Sequence, residues 1–257
     1  MFKKIYYINL EHRADRREHV EKEIKKINFN GPVERVNGAF GKNLDLSLVP
    51  SNLFTNDAIK STTNKADISN TSTMTKGGMG VALSQKWVYE KILCGDEDYA
   101  LILEDDITIP DNFMDKLNET LKKVKYFDML WIGWHIKNDL KTGGENELDV
   151  PNQIWGLFGY IINKKAAKAI IEIYPITKQI DSEIPKTFPN LVVYAVKKDD
   201  RMILSPTSEE STQFGSDIQF DREAFENISK GNYCDTRLFI VISVFIIIMA
   251  LLLNKKK

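Results

Sequence analysis

The chain has 257 residues, of which 43% are hydrophobic, 10% aromatic and 28% charged, with 35 Lys and Arg against 36 Asp and Glu and only two cysteines. That mixture excludes intrinsic disorder and a collagenous or linker-like chain, and the length is enough to bury a core without staples. The near-neutral balance argues against nucleic acid as a partner, and Cys94 and Cys234 lie too far apart to suggest a disulfide framework or a zinc site.

The opening MFKKIYYINL contains no apolar signal-peptide core, so the fold is expected to start at once. Lys3 to Leu10 reads as a buried strand that stops at the charged Glu11, His12 and Arg13. Val20, Ile24 and Ile27 then recur at helical spacing, which predicts an amphipathic helix, and Val33 to Val36 suits a second short strand. Between Thr55 and Lys76, twelve of 22 residues are Ser, Thr or Asn, the composition of a loop. Gly77, Gly78 and Gly80 precede a predicted helix from Val81 to Leu93, closed by Gly95. The hydrophobic run Tyr99 to Leu103 is the next strand, and it delivers Glu104, Asp105 and Asp106 at its end. There follow a helix from Asn112 to Val124, a strand from Asp128 to Gly133, a polar loop over 137–149 and a strand-like run from Trp155 to Ile162. A helix from Lys164 to Tyr174 with Asn163 as its cap, and a strand from Leu191 to Val196, complete the series. Strands alternating with helices predict an α/β sandwich around a mostly parallel sheet.

Leu238 to Leu253 is 16 residues long with Ser243 its only polar member, and it is flanked by Arg237 and by Lys255, Lys256 and Lys257. A helix of that length spans about 24 Å, short for a membrane core of about 30 Å but tolerable in a thin bilayer. The expected organisation is a folded domain over 1–220, a linker over 221–236 and a transmembrane anchor over 237–254, with a buried core helix as the other reading of the apolar run. A tail anchor puts the bulk of this membrane protein on the cytosolic side, while the three terminal lysines pull the other way by the positive-inside rule and leave the orientation open. Apart from Arg237 and the three terminal lysines, the chain carries 31 positive and 36 negative side chains, a mildly acidic balance.

Chemistry is expected where the strand ends in three acids, because open α/β sheets bind ligands beyond the carboxyl ends of their strands. Side chains two apart on extended backbone face the same way, so Glu104 and Asp106 can converge on one hard cation, magnesium or manganese, while Asp105 points elsewhere. A solvated strand end or a helix cap is the other reading of the same acids. Arg13 and Arg16, just past the first strand, have the guanidinium geometry to meet a phosphate, or are exposed helix-start charges. Gly77, Gly78 and Gly80 either present backbone N–H groups to an anion or permit close packing. Trp131, Trp134 and Trp155 near strand ends suit sugar stacking or the core, and His12, His19 and His135 show no ligand spacing.

Four segments taken together are more specific: YYINLEHRADRRE at 6–18, GGMGVALSQKWVYEKIL at 77–93, YALILEDDI at 99–107 and GLFGYIINKKAAKAI at 156–170. In this order they resemble the successive blocks of glycosyltransferase family 25, over roughly residues 3–220. The resemblance implies a GT-A-like nucleotide-sugar-binding fold and a UDP-hexose donor, UDP-galactose or UDP-glucose. It further implies inverting transfer to a hydroxyl acceptor on a glycan or protein. By the same resemblance Glu104 and Asp106 hold manganese and the diphosphate, Asp105 faces the sugar as a catalytic residue, and Asn9, Arg13, Arg16, Gly80 and Ser84 belong to the nucleotide pocket. Asp181 is the implied base, with Glu183 as substitute, and Asp217 a further acid at the metal. One departure stands out, since Gln85 follows Ser84 where the family has histidine. The alternative expectation is a membrane-anchored protein that binds a nucleotide sugar without transferring it, and a third is a nucleotidyltransferase.

Overall fold

The computed structural model describes residues 2–62, 73–141 and 148–205. The first strand, β1 (Lys4–Asn9), leads into α1 (Ala14–Lys25) and β2 (Val33–Asn37). Next come the short α2 (Asn56–Ser61), the long α3 (Lys76–Cys94), β3 (Tyr99–Leu103), α4 (Phe113–Lys122) and β4 (Met129–Gly133). The pair β5 (Ile136–Lys141) and β6 (Val150–Trp155) precedes β7 (Gly159–Asn163), α5 (Lys164–Glu172), the one-turn α6 (Ile180–Glu183) and β8 (Val193–Ala195).

Six strands form one sheet in the order β2-β1-β3-β7-β4-β8, parallel throughout except that β7 runs against both of its neighbours. The sheet is therefore mixed α/β and mostly parallel, with five strands pointing their carboxyl ends the same way. Strands buried on both faces need apolar side chains at every position, and the two-residue period sends alternate ones to opposite layers. Tyr6, Ala100, Ile102, Met129, Trp131, Tyr160 and Ile162 pack into one core, with buried residues of α3 and α5. Ile5, Tyr7, Leu101, Leu103, Leu130 and Ile161 enter the other, against Val20 and Ile24 of α1 and Phe113 and Leu117 of α4.

Several elements differ from the sequence expectation, each for a local reason. The helix expected from Val81 begins at Lys76, so the glycines lie inside its first turns, and Thr75 caps it by accepting the Gly78 N–H at 2.9 Å. The single run expected from Trp155 to Ile162 is two strands, broken where Gly156 takes a φ of +102°, a backbone state that suits glycine. The polar stretch expected as a loop contributes β5, which pairs antiparallel with β6 outside the main sheet. Within the Ser/Thr/Asn-rich stretch, Thr55 caps α2 by accepting the Ala58 N–H at 3.2 Å. Asn163 caps α5 as expected, accepting from Ala166 at 3.0 Å. Among the described residues no helix is long and apolar enough to cross a membrane. The linker 221–236, the apolar run 238–253 and Asp217 lie outside the described residues.

Candidate active site

Because β1 and β3 are parallel neighbours, their carboxyl ends lie side by side, and this brings Asn9 next to Glu104, Asp105 and Asp106. The loop after β2, Ala39 to Gly41, and the start of α3 close around these ends to form a cleft that opens to solvent. Its wall is of two kinds. Ile8, Leu10, Ala39, Phe40 and Val81 make it apolar in part, while Arg16 and the three acids make it charged.

Asp105 is buried, and both of its oxygens are engaged. Arg16 Nη1 donates to Oδ1 at 3.0 Å, and Asn9 Nδ2 donates to Oδ2 at 2.7 Å. Asn9 is itself held in place, since its Oδ1 accepts from Arg35 Nε at 3.0 Å and its Nδ2 also reaches the Arg13 carbonyl. Arg16 is only 5% exposed, and its Nη1 lies 3.5 Å from Asp106 Oδ2. The other oxygen of Asp106, Oδ1, is buried without a hydrogen-bond partner. Glu104 leaves β3 on the opposite face from Asp105, toward α3, and its charge is felt at Tyr89 and Tyr160 in that core.

Three carboxylates so close cannot all ionise freely. Burial raises the Glu104 carboxyl to about 8, with repulsion from Asp106 and then Asp105 adding to the rise and Arg16 opposing it. Asp105 is also raised, burial outweighing the help of Arg16 and Asn9. Asp181, in the first turn of α6, lies outside the wall of the cleft, yet its charge reaches Glu104. Burial lifts Asp181 to about 6, even though Ser182 and the Gly156 N–H donate to it. Glu183 is turned away and accepts the N–H groups of Thr177 and Lys178.

Other expected site residues have different surroundings. Arg13, the residue before α1, forms a two-pronged pair with Asp15, at 2.8 and 3.0 Å. Ser84 Oγ donates to the Gly80 carbonyl at 2.7 Å and accepts the Ala39 N–H at 2.8 Å, so it ties α3 to the loop after β2. Gly80 serves the same junction: a Cβ there would come within 2.4 Å of the Ala39 carbonyl oxygen. Trp131 and Trp134 are buried in the core, while Trp155 is half-buried.

Two features have no signature in the sequence. Phe40 lines the cleft with its ring 4.5 Å from that of His12, and nothing about an isolated Phe in a loop marks it. Gln85 is fully buried in the cleft wall and hydrogen-bonded to Tyr160, a partner 75 residues away that only the pairing of β7 with β3 brings near. The sole hint in the sequence is that Gln85 departs from the pattern around it.

Among the described residues no three His, Cys, Asp or Glu side chains converge as a protein-only metal cage. Glu104 and Asp106 nonetheless fit a hard divalent cation as a two-carboxylate site, because magnesium-type ions commonly take one or two carboxylates and complete their shell with water and substrate phosphate. The buried, partnerless Oδ1 of Asp106 is the particular observation that favours this fit.

The sequence profile of glycosyltransferase family 25, described as an LPS biosynthesis protein, matches residues 2–184. A glycosyltransferase 25 family member of Aedes aegypti is 26% identical over 194 residues, covering 72% of this chain and 31% of the relative. Procollagen galactosyltransferase 1-B of Xenopus laevis is 25% identical over 188 residues, covering 70% and 30%. A protein of Acanthamoeba polyphaga mimivirus named as a glycosyltransferase is 31% identical over 182 residues, covering 66% and 52%. The chain thus spans about a third of the length of the animal relatives and about half that of the viral one.

Proposed function

Because this chain belongs to glycosyltransferase family 25, we propose that it is a GT-A-like, metal-dependent, inverting hexosyltransferase. It moves galactose or glucose from a UDP-sugar to a hydroxyl on a glycan or protein. The observation that carries the reading is the pairing of Glu104 with Asp106 in one cleft, with Asp106 Oδ1 buried and unpartnered and Glu104 raised by burial and then by repulsion from Asp106. Manganese or magnesium bound between them would relieve that repulsion and neutralise the charge that develops on the leaving diphosphate.

The protein's own groups divide the remaining work. The apolar wall, with Phe40, suits the flat face of uracil. Asp105 and Asn9 hold the Arg16 guanidinium at the strand end, where it faces the phosphates; Asp105 so engaged is an anchor for Arg16 and not a group aimed at the sugar. Asp181 is the base. Raised to about 6, it is ionised at neutral pH yet more basic than an ordinary carboxylate, and it takes the acceptor hydroxyl's proton as that oxygen attacks the anomeric carbon opposite the diphosphate. The apolar run 238–253 would anchor the enzyme to a membrane, with the catalytic part on the cytosolic side.

The test uses the full-length chain with UDP-galactose or UDP-glucose, manganese and a panel of hydroxyl acceptors, following UDP release. Transfer is expected from one donor, lost on chelation and lowered about 10²–10³-fold in Asp106→Asn. Full activity in that variant would overturn the assignment. UDP binding with no turnover of any donor would favour a nucleotide-sugar-binding protein that does not transfer.

A further inference from the structure

Gln85 is fully buried, lines the cleft and has an unusual hydrogen-bond state. Its Oε1 accepts from the Tyr160 hydroxyl at 2.6 Å, and that hydroxyl lies 2.8 Å from the hydroxyl of Tyr89. Burial holds both phenols far above their ordinary range, so each keeps its proton and each proton needs an acceptor. Since Tyr160 donates to Gln85, Tyr89 donates to Tyr160, and the order of the line is fixed. The consequence falls on the amide. Its oxygen is used and its orientation is set, so both N–H groups of Nε2 remain, and Nε2 is buried with no hydrogen-bond partner. A buried donor in that state destabilises the protein unless something that enters the cleft satisfies it.

The chemistry of that ligand group follows from what stands around it. Gln85 is neutral and backed by two neutral phenols. The charged groups suited to a diphosphate, Arg16 above all, are on the Asp105 face of β3. Glu104, on the Gln85 face, has two oxygens, so it can hold a cation with one and accept a hydrogen bond with the other. A wall that offers one donor and one acceptor is complementary to a hydroxyl, which needs both, whereas a phosphate oxygen can use only the donor. We infer that Gln85 is a specificity-determining residue that donates from Nε2 to a hydroxyl oxygen of the transferred hexose. The inference rests on the hexosyltransferase reading and deepens it by naming the residue that reads the sugar.

The experiment compares the full-length wild type with Gln85→Met, similar in size but without a donor. Calorimetry in the presence of manganese gives the affinities for UDP, UDP-galactose and UDP-glucose, and turnover is measured with the monodeoxy analogues of the preferred donor. The expected result is that UDP affinity changes less than about twofold while the preference for UDP-hexose over UDP drops about tenfold or more. Wild type should reject one monodeoxy donor by at least about tenfold, and Gln85→Met should not. A folded Gln85→Met with unchanged hexose preference and unchanged deoxy-donor discrimination would overturn the inference, as would an equal loss of affinity for UDP itself. Should Gln85→Met fail to fold, Gln85→Leu, likewise uncharged and without a donor, is read by the same criteria, and a wild type that accepts every monodeoxy donor without loss would by itself overturn the inference. The two readings separate cleanly: a wild type that binds UDP-hexose through Gln85 but transfers nothing sinks the transferase alone, and one that transfers without regard to Gln85 sinks this inference alone.

Discussion

Asp105 and Arg16 face each other with side chains 9% and 6% exposed, so neither charge has water to fall back on. Removing one partner of a buried pair costs about 3–5 kcal/mol when the other is left uncompensated, but without Asp105 the Arg16 guanidinium still has Asp106 3.5 Å away. Asp105→Ala is therefore expected to lower the stability in urea denaturation by about 1–3 kcal/mol, less than a fully stripped charge would cost, and a loss below about 1 kcal/mol would mean that Asp106 takes over the pairing completely. Asp181 makes a prediction of a different kind. Its folded value of about 6 lies above the ordinary 3.8, so the folded chain holds a proton over a range where the unfolded chain has released it. The contribution to stability is thus fully present below about pH 4 and fades as the pH rises to about 6. Catalysis runs in the opposite direction, since a base must be ionised. The value of kcat/KM is expected to climb through pH 6 and then level off, and Asp181→Asn to remove this limb while lowering kcat by about 10²–10⁴-fold. A profile that stays flat from pH 5 to 8 would exclude Asp181 as the base.

The junction between α3 and the loop after β2 shows how an element positions the cleft. Gly80→Ala would place a Cβ 2.4 Å from the Ala39 oxygen and 2.8 Å from the Gly41 nitrogen, with Phe40 between them. The gain in helix propensity, about 1 kcal/mol, is outweighed by overpacking of about 1–3 kcal/mol. A lower melting temperature and weaker UDP binding are expected together, because the displaced loop carries part of the cleft wall. At this scale the sequence was legible where burial imposed a pattern and opaque where contact imposed it. Tyr99 to Leu103 announces a strand because all five residues are apolar, and the acids that follow mark its end. The glycines of α3 look like a loop, yet they are helical, and at Gly80 the Ala39–Gly41 backbone leaves no room for a side chain. β5, with the sequence IKNDLK, pairs with β6 alone and so escapes the need to be apolar. In the site, Glu104 to Asp106 could be found from their place after a strand. The line from Tyr89 through Tyr160 to Gln85 could not, because it exists only once β7 has inserted beside β3.

At the scale of the molecule, the described residues form two cores that share the six-stranded sheet, and β3 at its centre serves both. Ile102 enters one core and Leu101 the other, each fully buried. Ile102→Ala and Leu101→Ala should each cost about 2–5 kcal/mol, although the two side chains point in opposite directions. Because one backbone carries both, the described part should still unfold as a unit, with coincident transitions by fluorescence and far-UV circular dichroism in either variant. Separate transitions would mean that the two layers melt independently.

The alternation that sends Leu101 and Ile102 to different layers continues through the acids, so that Asp105 meets Arg16 on one side while Glu104 turns to the other. Frame therefore matters here as much as composition. Deleting one residue from the stretch Tyr99 to Leu103 would leave all three acids in the chain but exchange their sides, setting Glu104 against Arg16 and aiming Asp105 at the phenols. Substitutions among the acids test one role at a time; a single-residue deletion reassigns all three at once, and related chains should vary freely in the letters of this strand before they vary in its length.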